Sequence, residues 1–223
     1  MTLDWQARTA TVAAETRGQI AAIEIKAFTG DVLTVLDVVR VDIDLRDADP
    51  RPDLARVVRI DGASRGNVFT GDGRDVVTIG VAAANQAARA AFRVETGGGD
   101  DRVAFGPAGS FAFGRGPASS DRFLNATIDL GAGDDDLLIA GGRASVRGGE
   151  GDDEIRVSGN AVVTALYDGA RAGFEIVRTG AGQYRITDID PSNGDEGIDL
   201  LSGVRQVKFA DAVVPLNDLL FPI

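Results

Sequence analysis

Aspartates that follow alternating glycines are the residues of this chain best suited to chemistry. The pattern Gly-x-Gly-x-Asp-x-aliphatic occurs four times, as GDGRDVV from Gly71, GGGDDRV from Gly97, GAGDDDL from Gly131 and GEGDDEI from Gly149. Glycine at alternate positions lets the backbone adopt turn conformations that other residues avoid, which turns several carbonyl oxygens toward one point. Because the aspartate adds a carboxylate, each motif predicts a turn rich in oxygen ligands.

Oxygen ligands without nitrogen or sulfur suit a hard cation. If two such turns stack one coil apart, their oxygens face each other, and the local excess of negative charge becomes a cation site. Ca²⁺ fits an irregular cage of carbonyl and carboxylate oxygens better than Mg²⁺, which keeps its waters and requires a stricter octahedron. The alternative is an ordinary β-turn at each position, because glycine and aspartate are common in turns of every kind.

The spacing of the motifs indicates a solenoid. The four motifs begin 26, 34 and 18 residues apart, and the last interval is twice nine. Weaker copies without the aspartate lie between or before them, at Gly62, Ala140 and, halfway along the longest interval, Gly114. Such a period is typical of short units that stack because no unit can bury its apolar face alone.

Inward-pointing aliphatic residues should line the interior of this solenoid. We expect this of the residue two positions after each motif aspartate, namely Val77, Val103, Leu137 and Ile155. Leu137, Val146 and Ile155 follow one another at intervals of nine, which predicts alternating layers of a flattened two-sheet roll.

Strands dominate the rest of the chain, since apolar and polar residues alternate with a period of two. The predicted strands are IEIKAF from 23, VRVDIDL from 39, ARVVRI from 55, FEIVRT from 174, YRITDI from 184 and VRQVKFA from 204. Prolines make RDADPRPD at 46–53 a predicted loop, and the alanine-rich segment 81–92 is a short helix or a loop inserted between strands.

Composition excludes several kinds of function. The 223 residues carry a net charge of −11, which argues against nucleic acid and against anionic membrane surfaces as partners. The chain has no cysteine and no histidine, so thiol catalysis, disulfides, thiolate or imidazole metal sites and Ser-His-Asp relays are excluded. No carboxylate pair stands out as a general acid and base. We therefore expect no enzymatic activity.

The four motifs resemble the glycine-aspartate nonapeptide repeats of the RTX, or haemolysin-type calcium-binding, proteins. Residues 184–216, with a Gly-x-Asp, an LSGV and a FAD segment, resemble the stretch that often closes such rolls. The resemblance implies two or three Ca²⁺ ions, each between two turns of one edge. Because the intervening nonapeptides have lost their aspartates, we expect the opposite edge to be free of metal. The ligands that it implies are Gly71, Gly73, Asp75, Gly97, Gly99, Asp101, Gly131, Gly133, Asp135, Gly148, Gly149, Gly151 and Asp153.

The predicted fold is all-β, a parallel β-roll or β-solenoid with irregular coils, capped by additional strands at its N-terminal and C-terminal ends. We expect an N-terminal strand region or cap over 1–61, calcium-binding repeats over 62–165 and a C-terminal capping segment over 166–223, all within one continuous unit. Asp195 and Asp199 could bind a further ion, although a solvated loop is the simpler interpretation for both.

Two functions are open at this point. The first is a non-enzymatic, extracellular protein or module, stabilised by Ca²⁺, with a structural, adhesion or secretion role. No Sec signal peptide and no membrane-spanning stretch is recognisable in the sequence, and the resemblance implies type I secretion. The second is a carbohydrate-binding or accessory module of a polysaccharide-modifying enzyme.

Extracellular polysaccharide or a cell-surface component is the expected partner besides calcium. Arg40, Arg56, Arg59 and Arg65 form either a surface for acidic sugars or a mixed-charge strand face.

Overall fold

The computed structural model describes residues 2–4, 9–14, 22–26, 28–46, 54–81, 90–107, 124–192 and 194–216. The first ten strands in these ranges are β1 (Thr2–Asp4), β2 (Thr9–Ala13), β3 (Ala22–Lys26), β4 (Val32–Leu36), β5 (Arg40–Asp44), β6 (Val57–Ala63), β7 (Arg65–Phe69), β8 (Val76–Val81), β9 (Ala90–Glu95) and β10 (Arg102–Pro107). The next are β11 (Leu124–Ala132), β12 (Asp136–Ile139), β13 (Arg143–Glu150), β14 (Glu154–Val157), β15 (Val162–Leu166), β16 (Phe174–Gly180), β17 (Gln183–Asp188), β18 (Ile198–Ser202), β19 (Gln206–Lys208) and β20 (Val213–Pro215). A 3₁₀ turn, Arg171–Gly173, precedes β16.

These strands form two sheets that face each other across the core. Sheet A has the order β1-β2-β4-β6-β8-β10-β12-β14-β18-β17-β16, and sheet B has the order β20-β19-β15-β13-β11-β9-β7-β5-β3. From β2 to β15 the chain alternates between the sheets, and each strand pairs in parallel with the strand two positions along the chain. One strand from each sheet makes one coil, and stacked coils make a parallel β-solenoid. The predicted fold class is confirmed.

Antiparallel strands close both ends of the roll. At the N-terminal end β1 pairs antiparallel with β2, and at the C-terminal end β16, β17 and β18 form an antiparallel meander. β18 and β19 still add a parallel strand to each sheet, beside β14 and β15, before β20 turns back. The parallel pairing also continues without a break across residue 62, because β4, β6 and β8 are neighbours in sheet A.

The core is a stack of small aliphatic side chains between the two sheets. Val77, Val103, Leu137 and Ile155 are in register in sheet A and at most 1% exposed, which confirms that they point inward. Val146 lies in sheet B and is also fully buried, so the nine-residue alternation between layers is confirmed. Alternation of inward apolar and outward polar residues explains why these segments become strands of a roll.

The strands predicted outside the motifs are confirmed at β3, β5, β6, β16, β17 and β19. Of the alanine-rich segment, Val81 ends β8 and residues 90–92 begin β9, whereas 82–89 lie outside the described residues. Most of the predicted loop, 47–53, and the weak repeat copy at Gly114 also lie outside them.

The four arginines proposed as one surface do not share a face. Arg40 and Arg65 are paired neighbours on the outer face of sheet B, but Arg59 is exposed on sheet A, on the other side of the roll. Arg56 is buried, with 3% of its surface exposed. The alternative of one shared surface for acidic sugars is therefore wrong, because consecutive strands of a solenoid belong to opposite sheets.

Leu137→Ala tests the stacked core. The substitution leaves a cavity that rigid neighbouring coils fill only in part, so we expect a loss of about 2 to 5 kcal/mol in the free energy of unfolding. Leu138→Ala is the matched control, because Leu138 is adjacent on β12 but lies on its outer face. The measurement is denaturant unfolding of both variants. Equal losses would contradict the assignment of the two faces.

Candidate metal site

The four glycine-aspartate turns lie on one edge of the roll. Each joins a strand of sheet B to the following strand of sheet A: β7 to β8, β9 to β10, β11 to β12 and β13 to β14. We call this side, with the turns at 71–75, 97–101, 131–135 and 149–153, the motif edge. The structure thus brings all four predicted site segments together in one stack.

The glycines of the motif edge form two columns that only glycine can occupy. Gly71, Gly97, Gly131 and Gly149 form one, and Gly73, Gly99, Gly133 and Gly151 form the other, all with φ between 96° and 132°. A Cβ atom on Gly149 would lie 1.7 Å from the carbonyl oxygen of Gly131. Close stacking of the turns therefore requires glycine, both for its φ angle and for its missing side chain.

The aspartates of the motif edge form a hydrogen-bonded column, which we call the buried aspartate ladder. It consists of Asp75, Asp101, Asp135, Asp153 and Asp199, and each is at most 3% exposed. In each step, a backbone N–H of one coil donates to Oδ1 of the aspartate in the next coil. Asp75 N donates to Asp101 Oδ1 at 2.7 Å, and the next three steps measure 2.6, 3.0 and 3.0 Å.

The second oxygen of four of these carboxylates has no partner. Oδ2 of Asp75, Asp101, Asp135 and Asp153 is buried, and no group in the described part of the chain donates a hydrogen bond to it. An ionised oxygen withdrawn from water without a partner is costly, so it calls for either a proton or a cation. Gly148 makes room for one of these atoms, since a Cβ there would lie 1.9 Å from Asp153 Oδ2.

Burial raises the pKa of every carboxyl in the buried aspartate ladder. The pKa rises to about 6 for Asp75, about 7 for Asp135 and Asp199, and about 8 for Asp101 and Asp153. Loss of water is the largest cause in each case, and the negative charge of Asp199 raises the pKa of Asp153 further. At neutral pH, the carboxyls of the buried aspartate ladder therefore readily bind a proton or another cation.

Asp199 is a further member of this ladder, which sequence analysis named as a possible ion ligand but interpreted more simply as part of a solvated loop. It is 2% exposed, accepts the N–H of Asp153 and takes a hydrogen bond from the Tyr167 hydroxyl on Oδ2 at 2.6 Å. Its interpretation as a solvated loop carboxylate is wrong, whereas Asp195 is indeed exposed. The signal was present in the sequence, since Gly197 and Asp199 repeat the spacing of Gly151 and Asp153.

A second column of aspartates runs along the outside of the same turns. Asp100, Asp134 and Asp152 are exposed, and each accepts an N–H from the following coil. This exposed aspartate ladder runs opposite to the buried one, in which the donor belongs to the preceding coil. Sequence analysis missed these residues, although the repeated Asp-Asp pairs of the last three motifs mark them.

The side chains of the buried aspartate ladder come one from each coil. Within the described ranges, no three acidic, histidine or cysteine side chains converge as a group that could hold a metal ion. Among the same residues there is no helix of the length and apolar character needed to cross a membrane.

No protein-family model, curated protein or solved structure matches this chain.

The raised pKa values predict that the calcium-free protein is less stable in alkali. These carboxyls have pKa values of about 6 to 8 in the folded state, against about 3.9 when unfolded. Between those values the folded state binds more protons, so stability falls as the pH rises. We expect the denaturant midpoint in calcium-free buffer to decrease from about pH 5 to about pH 8.5.

Asp101→Asn and Asp153→Asn provide the control for this pH profile. Each replaces a titrating carboxyl by a neutral amide of the same shape, and each should flatten the decrease. A wild-type midpoint that stays level or rises over the same pH range would contradict the raised pKa values, because the folded state would then bind no more protons than the unfolded state.

Proposed function

We propose that this protein is an extracellular Ca²⁺-binding β-roll of the RTX type, whose folding and stability are coupled to Ca²⁺ and whose role is structural, adhesive or linked to secretion. The observation that carries the proposal is the line of four buried, unpartnered Oδ2 atoms on the motif edge. A cation between successive turns would supply the partner that each of these oxygens lacks.

The remaining ligands would be backbone carbonyl oxygens. The carbonyl oxygens of Gly73, Gly99 and Gly133 would lie 2.4 to 2.5 Å from a Cβ atom on the glycine one coil further on. They are therefore concentrated between the stacked turns. A ligand set of many carbonyls with few carboxylates favours Ca²⁺, which accepts six to eight oxygens in flexible geometry.

One carboxylate from each coil means that successive coils share each ion. Asp135 and Asp153 belong to adjacent coils, and Asp135 N donates to Asp153 Oδ1. An ion held between two turns stabilises only the folded stack, because the unfolded chain does not bring the turns together. Calcium at extracellular concentration would then favour folding outside the cell, consistent with secretion of an unfolded chain from a compartment poor in calcium.

Asp153→Asn distinguishes a metal ligand from a simple hydrogen-bond acceptor. The wild type should gain about 2.7 kcal/mol for each independent site when free Ca²⁺ reaches a hundredfold excess over its dissociation constant. Asparagine keeps an oxygen for the N–H of Asp135 but removes the charge. We expect the variant to lose much of the calcium gain, yet to be at least as stable as the wild type in chelator at pH 8.

Glu154→Gln is the matched control, because it makes the same charge change at the next residue, which is ion-paired with Arg156 on the outer face. Its calcium gain should equal that of the wild type. Mg²⁺ at the same concentration should not reproduce the calcium gain. Equal melting temperatures of the wild type in calcium and in chelator would contradict the proposed function.

A further inference from the structure

Arg56 occupies a position of the motif edge where the later coils have an aspartate. The backbone carbonyl oxygen of Asp75 accepts the N–H of Arg102, and that of Arg56 accepts the N–H of Val76 in the same way one coil earlier. Arg56 N also donates to Asp75 Oδ1 at 2.7 Å, which is the same step that links the aspartates to one another. By register, Arg56 therefore lies one coil before Asp75, at the position that corresponds to the aspartates of the buried aspartate ladder.

The side chain of Arg56 is buried, which is rare for arginine unless its charge is compensated. It is 3% exposed, and its Nη1 donates to the carbonyl oxygen of Thr70 at 2.7 Å. Thr70 immediately precedes Gly71, so the guanidinium binds a backbone oxygen of the turn that carries Asp75. The positive charge thus lies between two successive turns of the motif edge.

Charge complementarity links Arg56 to Asp75. Asp75 Oδ2 is one of the buried oxygens without a hydrogen-bond donor, and Arg56 Nε is likewise buried without an acceptor in the described part of the chain. Burial is the largest influence on the pKa of Asp75 and raises it to about 6, whereas hydrogen bonding by neighbouring groups and, to a smaller extent, the charge of Arg56 lower it. A neighbouring positive charge favours the ionised carboxylate.

We propose that the guanidinium of Arg56 is a permanent, built-in cation of the motif edge, which takes between the turns of Arg56 and Asp75 the place that Ca²⁺ takes between later turns. The comparison with Ca²⁺ rests on the proposed function, whereas the compensation of the negative charge of Asp75 by Arg56 does not. Arginine stays protonated at all physiological pH values, so this position needs no metal. Calcium binding therefore begins with the pair of turns that contain Asp75 and Asp101.

The C-terminal end of the buried ladder is closed by a different group of the protein. Tyr167 donates its hydroxyl to Asp199 Oδ2, the one second oxygen of the ladder with a hydrogen-bond donor. Arg56 and Tyr167 thus mark the two ends of the row of unpartnered oxygens. The candidate metal positions lie between them.

Arg56→Met tests the proposal in the full chain, in excess chelator at pH 8. Methionine keeps much of the aliphatic volume but removes the charge, so Asp75 is left buried and uncompensated. We expect the melting temperature to fall by roughly 6 to 20 °C, from the cost of leaving a buried carboxylate without a compensating charge in a domain of this size. Arg59→Met is the matched control, because Arg59 is exposed on β6, and its melting temperature should hardly change.

Asp75→Asn in the Arg56→Met background separates charge compensation from packing. Removing the uncompensated carboxylate should restore much of the lost melting temperature, and Arg56→Lys, which keeps the charge, should lose less than Arg56→Met. If Arg56→Met does not fold, a folded double variant supports the proposal and an unfolded one overturns it. Additive losses in the double variant, or a loss no larger than that of Arg59→Met, would also overturn it.

The chelator makes this test independent of the proposed function. Failure of the wild type to bind Ca²⁺ would remove the metal from the later turns but would leave the coupling between Arg56 and Asp75 intact. Conversely, absence of that coupling would overturn the assignment of Arg56 while calcium stabilisation of the later turns persisted. The two results are read from separate measurements on the same variants.

Discussion

A column of carboxylates buried along one edge is the constraint on which the rest of this structure depends. Parallel strands lie about 4.8 Å apart, and two unit charges at that spacing repel each other by roughly 3 kcal/mol at an effective dielectric of about 20. A backbone N–H of the preceding coil donates a hydrogen bond to Oδ1 of each aspartate, so one of the two carboxylate oxygens has a partner. The second oxygen of Asp75, Asp101, Asp135 and Asp153 has no hydrogen-bond donor in the described part of the chain. We propose that a metal ion, or at Asp75 the guanidinium of Arg56, supplies the missing positive charge.

The glycine columns make this arrangement possible. Turns with positive φ and no Cβ atom can stack so closely that carbonyl oxygens of one coil fill the space that a Cβ atom of the next coil would need. The same closeness brings the aspartates under the turns and away from water. Small aliphatic side chains continue the stack into both sheets, so a coil that loses its place on the motif edge also loses its neighbours in the core.

The sequence predicts the parts of the structure that local patterns determine. Four motifs with two glycines and an aspartate at fixed offsets define the turns, and the residue two positions after each aspartate is inward because strand side chains alternate. The N-terminal coils were harder to recognise, since β4, β5 and β6 pair in parallel without any such motif. Their turns have irregular lengths and sequences, and only the pairing with the next coil reveals them as part of the roll.

Long-range register explains why sequence analysis misinterpreted Asp199 and Arg56. Asp199 is 46 residues from Asp153, because the strands β15, β16 and β17 intervene before the chain returns to the motif edge. The turn that contains Arg56 has no aspartate at the ladder position and no glycine pair before it, so only the hydrogen bonds of Arg56 to the next coil identify its position.

Calcium-dependent anomalous X-ray scattering from crystals grown with Ca²⁺ tests the central claim most directly. We predict peaks between successive turns from Asp75 onward, about 2.3 to 2.6 Å from the Oδ2 atoms, and none between Arg56 and Asp75. Crystals with no peak on the motif edge would contradict the account.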